Sequence, residues 1–200
     1  MNFKWIGDLS REDAQVLIEC CELDEIDSSI LEFGSGGSTQ IFAQCMPASV
    51  LSIETDPEWI KRTQDHLAKL NEKTPVSFCS YEAYKNIIED QKFDLIFVDG
   101  VDNLRREFAI ATWKNLSDDG VMIFHDTRRF NDFQNAAWVA QLHFNEIKKI
   151  EVNYLGSNMT VIFKKPYAGY VDWNYTEDKP LWAYGKPGAE DMPLWELKNE

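Results

Sequence analysis

Three groups of residues in this 200-residue chain have types and spacings suited to chemistry. The first is Glu32-Phe33-Gly34-Ser35-Gly36-Gly37-Ser38-Thr39, whose glycines let backbone N–H groups approach a ligand closely. Such a turn, placed between a strand and a helix, stands where parallel sheets bind cofactors. Glu54 follows Gly34 at the spacing at which a carboxylate accepts both hydroxyl hydrogens of a cofactor ribose, with Thr55 beside it. The second group is Asp99, which ends one apolar run, and His125-Asp126, which ends the next. A neutral imidazole suits a general base for a hydroxyl proton, and Asp99 is the alternative base; strand alternation also allows His125 to turn into the sheet, opposite Asp126. The third group is a local concentration of arginine, Arg105, Arg106, Arg128 and Arg129, in an otherwise acidic protein. Arginine binds carboxylate or phosphate through two parallel bonds, so Arg105, Arg106 and Arg128 are candidate contacts to an anionic acceptor; the competing reading pairs these arginines with Asp102, Glu107 or Asp132.

The elements that must position these groups alternate between short apolar runs and helical periodicity, the pattern of a parallel sheet covered by helices on both faces. Ser10 with Asp13 predicts a capped leading helix. Strands are predicted at 29–33, 50–54, 76–79, 93–99 and 121–124, with Asp56-Pro57 opening the helix after the second. A helix is predicted from about Leu104 to Leu116, closing at Ser117-Asp118-Asp119-Gly120. Phe133, Ala137, Ala140, Phe144 and Ile147 mark a long helix, and 151–155 and 159–163 a final antiparallel pair. The expected fold is α/β: a Rossmann-like, doubly wound sheet of seven strands, five parallel plus a C-terminal antiparallel hairpin. The predicted organisation is an N-terminal helical segment (1–27), the main domain (28–165) and an extended aromatic and proline-rich tail (166–200).

The run Glu32 to Thr39 resembles motif I of S-adenosylmethionine methyltransferases, which carries an acidic residue two before the first glycine. Glu54-Thr55-Asp56-Pro57-Glu58-Trp59 is similar to the corresponding stretch of small-molecule and sugar methyltransferases. Phe97-Val98-Asp99-Gly100 and Gly120-Val121-Met122-Ile123-Phe124-His125-Asp126-Thr127 resemble the fourth and fifth strand ends of the catechol O-methyltransferase-like group. The resemblance covers roughly residues 28–165. It implies an S-adenosylmethionine-dependent O-methyltransferase of a small polar hydroxylated acceptor, anionic or sugar-like. The cofactor contacts it implies are Glu32, Gly34, Ser35, Gly36, Gly37, Ser38, Thr39, Glu54, Thr55, Ser80, Tyr81 and Asp99, with Asp99, His125 and Asp126 catalytic. In metal-dependent members acids at these strand ends hold a divalent cation, magnesium or manganese, and Asp99 and Asp126 match those positions. Thr127 stands where catechol-type enzymes have asparagine, and Asp102-Asn103 where they have lysine, which leaves the metal open.

Composition narrows the alternatives. Thirty-four acidic against twenty basic residues give a net charge of −14, which disfavours nucleic acid and anionic membranes as partners. No apolar run reaches membrane-span length, and the four cysteines lack a C-x-x-C pair, so a cytoplasmic protein with buried thiols is expected. Tail aromatics suit packing or a homo-oligomer contact. Two other functions are weighed: a nicotinamide-dependent oxidoreductase, against which Thr39 stands in place of the third glycine of G-x-G-x-x-G, and a catalytically silent binding protein.

Overall fold

The computed structural model describes residues 3–23, 28–71 and 73–170. Helix α1 (Arg11–Glu22) starts at a reciprocal cap: the Ser10 hydroxyl accepts the Asp13 N–H, and the Asp13 carboxylate accepts the Ser10 N–H. The chain then alternates as β1 (Ser29–Phe33), α2 (Gly37–Gln44), β2 (Ser49–Ile53), α3 (Pro57–Leu67), β3 (Val76–Cys79), α4 (Tyr84–Ile87), β4 (Phe93–Val98), α5 (Arg105–Thr112), β5 (Leu116–Phe124), α6 (Phe130–Leu142), β6 (Ile147–Val152) and β7 (Thr160–Lys164).

All seven strands form one sheet in the order β3-β2-β1-β4-β5-β7-β6. The first five are mutually parallel, and β7 runs antiparallel to both β5 and β6. The order reverses between β1 and β4, so the loops leaving these two strands open a crevice at the C-terminal edge of the sheet. Alternation along the strands sends Leu31, Phe33, Ile96, Val98, Met122 and Phe124 into the layer under α5 and α6. Ile30, Leu95, Phe97, Val121 and Ile123 enter the layer under α1 and α2. Burial of each such side chain stabilises the fold by roughly 1.5–3 kcal/mol.

Three boundaries differ from the sequence expectation, the first being the strand expected at 151–155, which lies instead at Ile147–Val152 with Tyr154–Gly156 in a 3-10 turn. Ser117 to Gly120 does not close a helix: α5 ends at Thr112, a 3-10 turn follows, and the segment lies within β5. There the pairing with β4 slips between Phe93 and Leu95, and Asp119 takes a left-handed φ of 64°, so a bulged strand imitates a turn in sequence. Ile147 opens β6 and does not extend α6; the helical period continues by chance past Leu142, where His143 stacks on Trp113 and Glu146 accepts the Trp113 indole N–H.

The four cysteines are free thiols; burial pushes Cys20 up to about 12, leaving it inert. No helix among the described residues is long and apolar enough to cross a membrane. The predicted tail lies, from residue 171 on, outside the described residues.

Candidate active site

The glycine turn is fastened from both ends of its sequence. The Gly34 N–H donates to Ile53 O at 2.8 Å, and Gly34 sits at φ +93°, where a Cβ would stand 2.8 Å from the Asp99 carbonyl. Only glycine fits that close crossing of two loops. Glu32 is fully buried and accepts the hydroxyls of Ser38, Thr39 and Ser52 at 2.5, 2.6 and 2.6 Å. Thr39 Oγ1 also accepts the Gly36 N–H at 2.8 Å. Burial raises the Glu32 carboxyl to about 7, against the lowering effect of its three hydroxyl partners. Glu32 and Thr39 therefore brace the turn from beneath instead of lining the space above it.

That space is a cavity of about 510 Å³ bounded by Gly34–Ser38, Glu54–Asp56, Trp59 and Asp99–Val101, with His125 and the N-terminal strap Ile6–Leu9 also on its wall. Glu54 is held there by backbone donors: Ser35 N at 3.0 Å on one oxygen, Thr55 N at 2.7 Å and Asp56 N at 3.0 Å on the other. Trp59, which the sequence reading did not place in a site, donates its indole N–H to Ser35 O, while the Arg62 guanidinium lies 4.7 Å from its ring centroid. Its helix follows a capped Asp56-Pro57 start, which was the signal that fixed its direction. The strap was also missed: Gln40 and Gln44 of α2 hold it by accepting and donating hydrogen bonds to the backbone of Ile6 and Lys4. Ser80 and Tyr81 are not brought to this cavity. The Tyr81 ring packs between Phe33 and Tyr84, because the chain past β3 turns back over the α5 side of the sheet.

Asp99, His125 and Asp126 come together, each offering one ligand atom within 4.8 Å of the others. Strict alternation would have parted His125 from Asp126; the left-handed backbone of Asp126, φ 61°, breaks it. His125 Nδ1 lies 3.0 Å from Asp99 Oδ1, and Nε2 lies 3.6 Å from Asp13 Oδ2. Burial disfavours the imidazolium, but hydrogen bonds to Asp13 and Asp99 and the charges of Asp99 and Asp126 outweigh it, raising His125 to about 10. Asp13 is held correspondingly low: burial opposes this, and its His125, Asn158 and Ser10 hydrogen bonds prevail. Both ring nitrogens thus face carboxylates, which disfavours the general-base role expected of His125.

The arginines part company. Arg105 is 6% exposed, and its guanidinium is surrounded by carboxylates: Asp132 at 2.8 Å, Asp99 at 3.1 Å, Asp102 at 3.2 Å and Asp126 at 3.5 Å. It also donates to the carbonyls of Gly100 at 2.7 Å and Asp99 at 3.2 Å, so it is not available to an acceptor. Arg128 donates to Gly156 O at 2.6 Å in the β6–β7 connection and lines neither cavity. Arg106 bonds Asn135 at 3.2 Å, lies over Trp138 and borders a second hollow of about 560 Å³ shared with Asp102, Arg129, Phe130 and Asn135. Asp132 was legible as an arginine partner and Asp13 as a helix cap, but neither Asp13 nor Asn158 had a sequence signal for this site; Asn158 joins the cluster through Asp126 Oδ1 at 3.0 Å.

Residues 31–127 match a family described as a methyltransferase domain. No curated protein sequence matches the chain. Among solved structures, a putative caffeoyl-CoA O-methyltransferase from Staphylococcus aureus superposes with a TM-score of 0.63 at 16% identity, over 80% of this chain and 86% of that one. A methyltransferase-like protein from Silicibacter pomeroyi does so at 0.59 and 19% identity, over 93% of this chain and 100% of its own. An O-methyltransferase from Bacillus cereus in complex with SAH gives 0.60 at 18% identity, over 78% and 83%. The glycine turn at the strand-order reversal and the acid after β2 both lie within the segment that matches the methyltransferase-domain family, and the chain shares the fold of these methyltransferase structures.

Proposed function

We propose that the protein transfers a methyl group from S-adenosylmethionine to a hydroxyl oxygen of a small, polar, polyhydroxylated acceptor. One observation carries this reading: a single cavity joins the glycine turn and Glu54 to Asp99 at the place where the strand order reverses. When bound, S-adenosylmethionine supplies an electrophilic methyl on a sulfonium. The turn offers backbone N–H groups, Glu54 accepts ribose hydroxyls, and the Trp59 face suits a purine. Asp99 Oδ1 is engaged by Arg105 and His125, whereas Oδ2 has no hydrogen-bond partner among the described residues. That oxygen takes the acceptor's hydroxyl proton as the carbon–oxygen bond forms and the sulfur–methyl bond breaks, and passes it to water.

The acceptor is placed over the second hollow, which adjoins the same acid–arginine cluster through Asp132 and Arg129. With Arg105 and Arg128 engaged elsewhere and Arg129 paired with Asp126 and Asp132, Arg106 is the guanidinium left to meet it, so at most one anionic group is accommodated. This narrows the expectation of an anionic substrate to a neutral or singly charged, sugar-like one. The binding of SAH by the Bacillus cereus protein of like fold supports the choice of cofactor. Against a nicotinamide cofactor, Thr39 is locked to Glu32 and Gly36 where close helix–strand packing around a pyrophosphate calls for a third glycine.

Thermal unfolding tests the reading. S-adenosylmethionine or its demethylated product is expected to raise the melting temperature, and NAD to leave it unchanged. An equal or larger rise with NAD would overturn the assignment. Transfer of labelled methyl to polyhydroxylated acceptors then separates an enzyme from a binding protein.

A further inference from the structure

The strand-end acids do not fit a divalent cation as they stand. Five of the six carboxylate oxygens of Asp99, Asp126 and Asp132 already face donors. Arg105 meets Asp99 Oδ1, Asp126 Oδ2 and Asp132 Oδ1; Asn158 meets Asp126 Oδ1; the Arg129 Nε meets Asp132 Oδ2. His125 supplies no replacement toward this point, because its Nδ1 lies 3.0 Å from Asp99 Oδ1 and is the protonated nitrogen of that contact, while its Nε2 is turned to Asp13 Oδ2 at 3.6 Å. Magnesium and manganese require a set of oxygen ligands closing on one point, with carboxylates and waters free to approach it.

We infer that Arg105 is a built-in cation occupying the place between the strand-end carboxylates that a divalent ion takes in metal-dependent methyltransferases of this group, and that this chain binds no divalent cation there. The inference rests on the functional reading above only for its catalytic consequence, that acceptor activation falls to Asp99. The guanidinium is suited to the task. It stays charged at any working pH, and its planar fork reaches carboxylates on both sides, from β4 and from α6, at once. Its two backbone contacts, to Gly100 O and Asp99 O, fix it to the loop after β4, so an entering ion would have to expel it and strand both carbonyls. The positive charge is thereby part of the fold and needs no recruitment from solution.

Manganese titration followed by the electron paramagnetic resonance of the free ion tests this on the full chain without any cofactor. Wild type is expected to take up no manganese. Arg105→Ala, which uncovers the three carboxylates, is expected to gain affinity by about tenfold or more; Arg105→Lys should restore the wild-type behaviour, and Asp126→Asn added to Arg105→Ala should abolish the gain. Manganese uptake by wild type that Asp126→Asn removes would overturn the inference, as would a folded Arg105→Ala with no gain. Should Arg105→Ala fail to fold, the wild-type titration against Asp126→Asn decides alone. The S-adenosylmethionine melting shift, measured on the same samples, reports separately on the methyltransferase assignment.

Discussion

His125 and Asp13 are the pair whose ionisation the fold changes most visibly, and they join the end of β5 to the first turn of α1. His125 is raised to about 10, so its stabilising contribution is complete below its unfolded value of about 6.5 and is lost as the pH rises through 10. Asp13 is lowered, so its contribution is present above its ordinary range and lost only in strong acid. Glu32, raised to about 7 by burial, disfavours the folded state as the pH rises from about 4.5 through 7. Urea unfolding of wild type is therefore expected to show declining stability from pH 6.5 to 10, with an upper bound of about 5 kcal/mol from the histidine. His125→Asn should flatten that decline, and an equally steep decline in the variant would remove His125 as its source. The sequence showed Asp99, His125 and Asp126 because each ends an apolar run. It could not show Asp13 as the partner of His125, over a hundred residues away; the pairing of Arg105 with Asp102 and Asp132 was legible as the competing reading, but the burial of that pairing was not, since type and spacing are silent on which way a side chain turns.

At the scale of elements, periodicity revealed strands and helices wherever one face is apolar, and failed where another force sets the backbone. The bulge in β5 at Asp119 and the stacking of His143 on Trp113 are such places. The N-terminal strap is a third. Lys4 and Ile6 have no strand partner, and the side-chain amides of Gln40 and Gln44 take that part: Ile6 N to Gln40 Oε1 at 3.1 Å, Gln40 Nε2 to Ile6 O at 3.0 Å, Gln44 Nε2 to Lys4 O at 2.7 Å. In sequence these glutamines read as an ordinary polar stretch of helix. Gln40→Ala is expected to destabilise the protein by about 0.5–1.5 kcal/mol, the net worth of the part-buried hydrogen bonds it makes to the strap. Because Ile6 to Leu9 form part of the cavity wall, it should also weaken binding of S-adenosylhomocysteine beyond that effect, by about tenfold at a temperature where both proteins are fully folded. Calorimetric titration showing equal affinities would mean that the strap contributes to the wall without acting on the ligand.

Across the whole molecule, the two cavities share one wall, built from Asp99 on the cofactor side, Arg105 within, and Asp132 with Arg129 on the other. The charges of the wall alternate and are partly buried, while the net charge of −14 surrounds it with a field that repels polyanions and leaves neutral acceptors unaffected. Placement of the acceptor then follows from which arginines remain available. Arg106 projects into the second hollow beside Asn135 and Trp138, whereas Arg128 is engaged with Gly156 O on the far side of Asp126. Arg106→Ala is expected to raise the acceptor KM by about tenfold, the range of one charge-assisted hydrogen bond, and to leave S-adenosylmethionine affinity unchanged. Arg128→Ala should change neither. Steady-state kinetics with a labelled methyl donor distinguish the outcomes: an acceptor KM that moves with Arg128 and not with Arg106 would shift the acceptor to the β6–β7 connection, and would mean that the second hollow lies outside the path of the reaction.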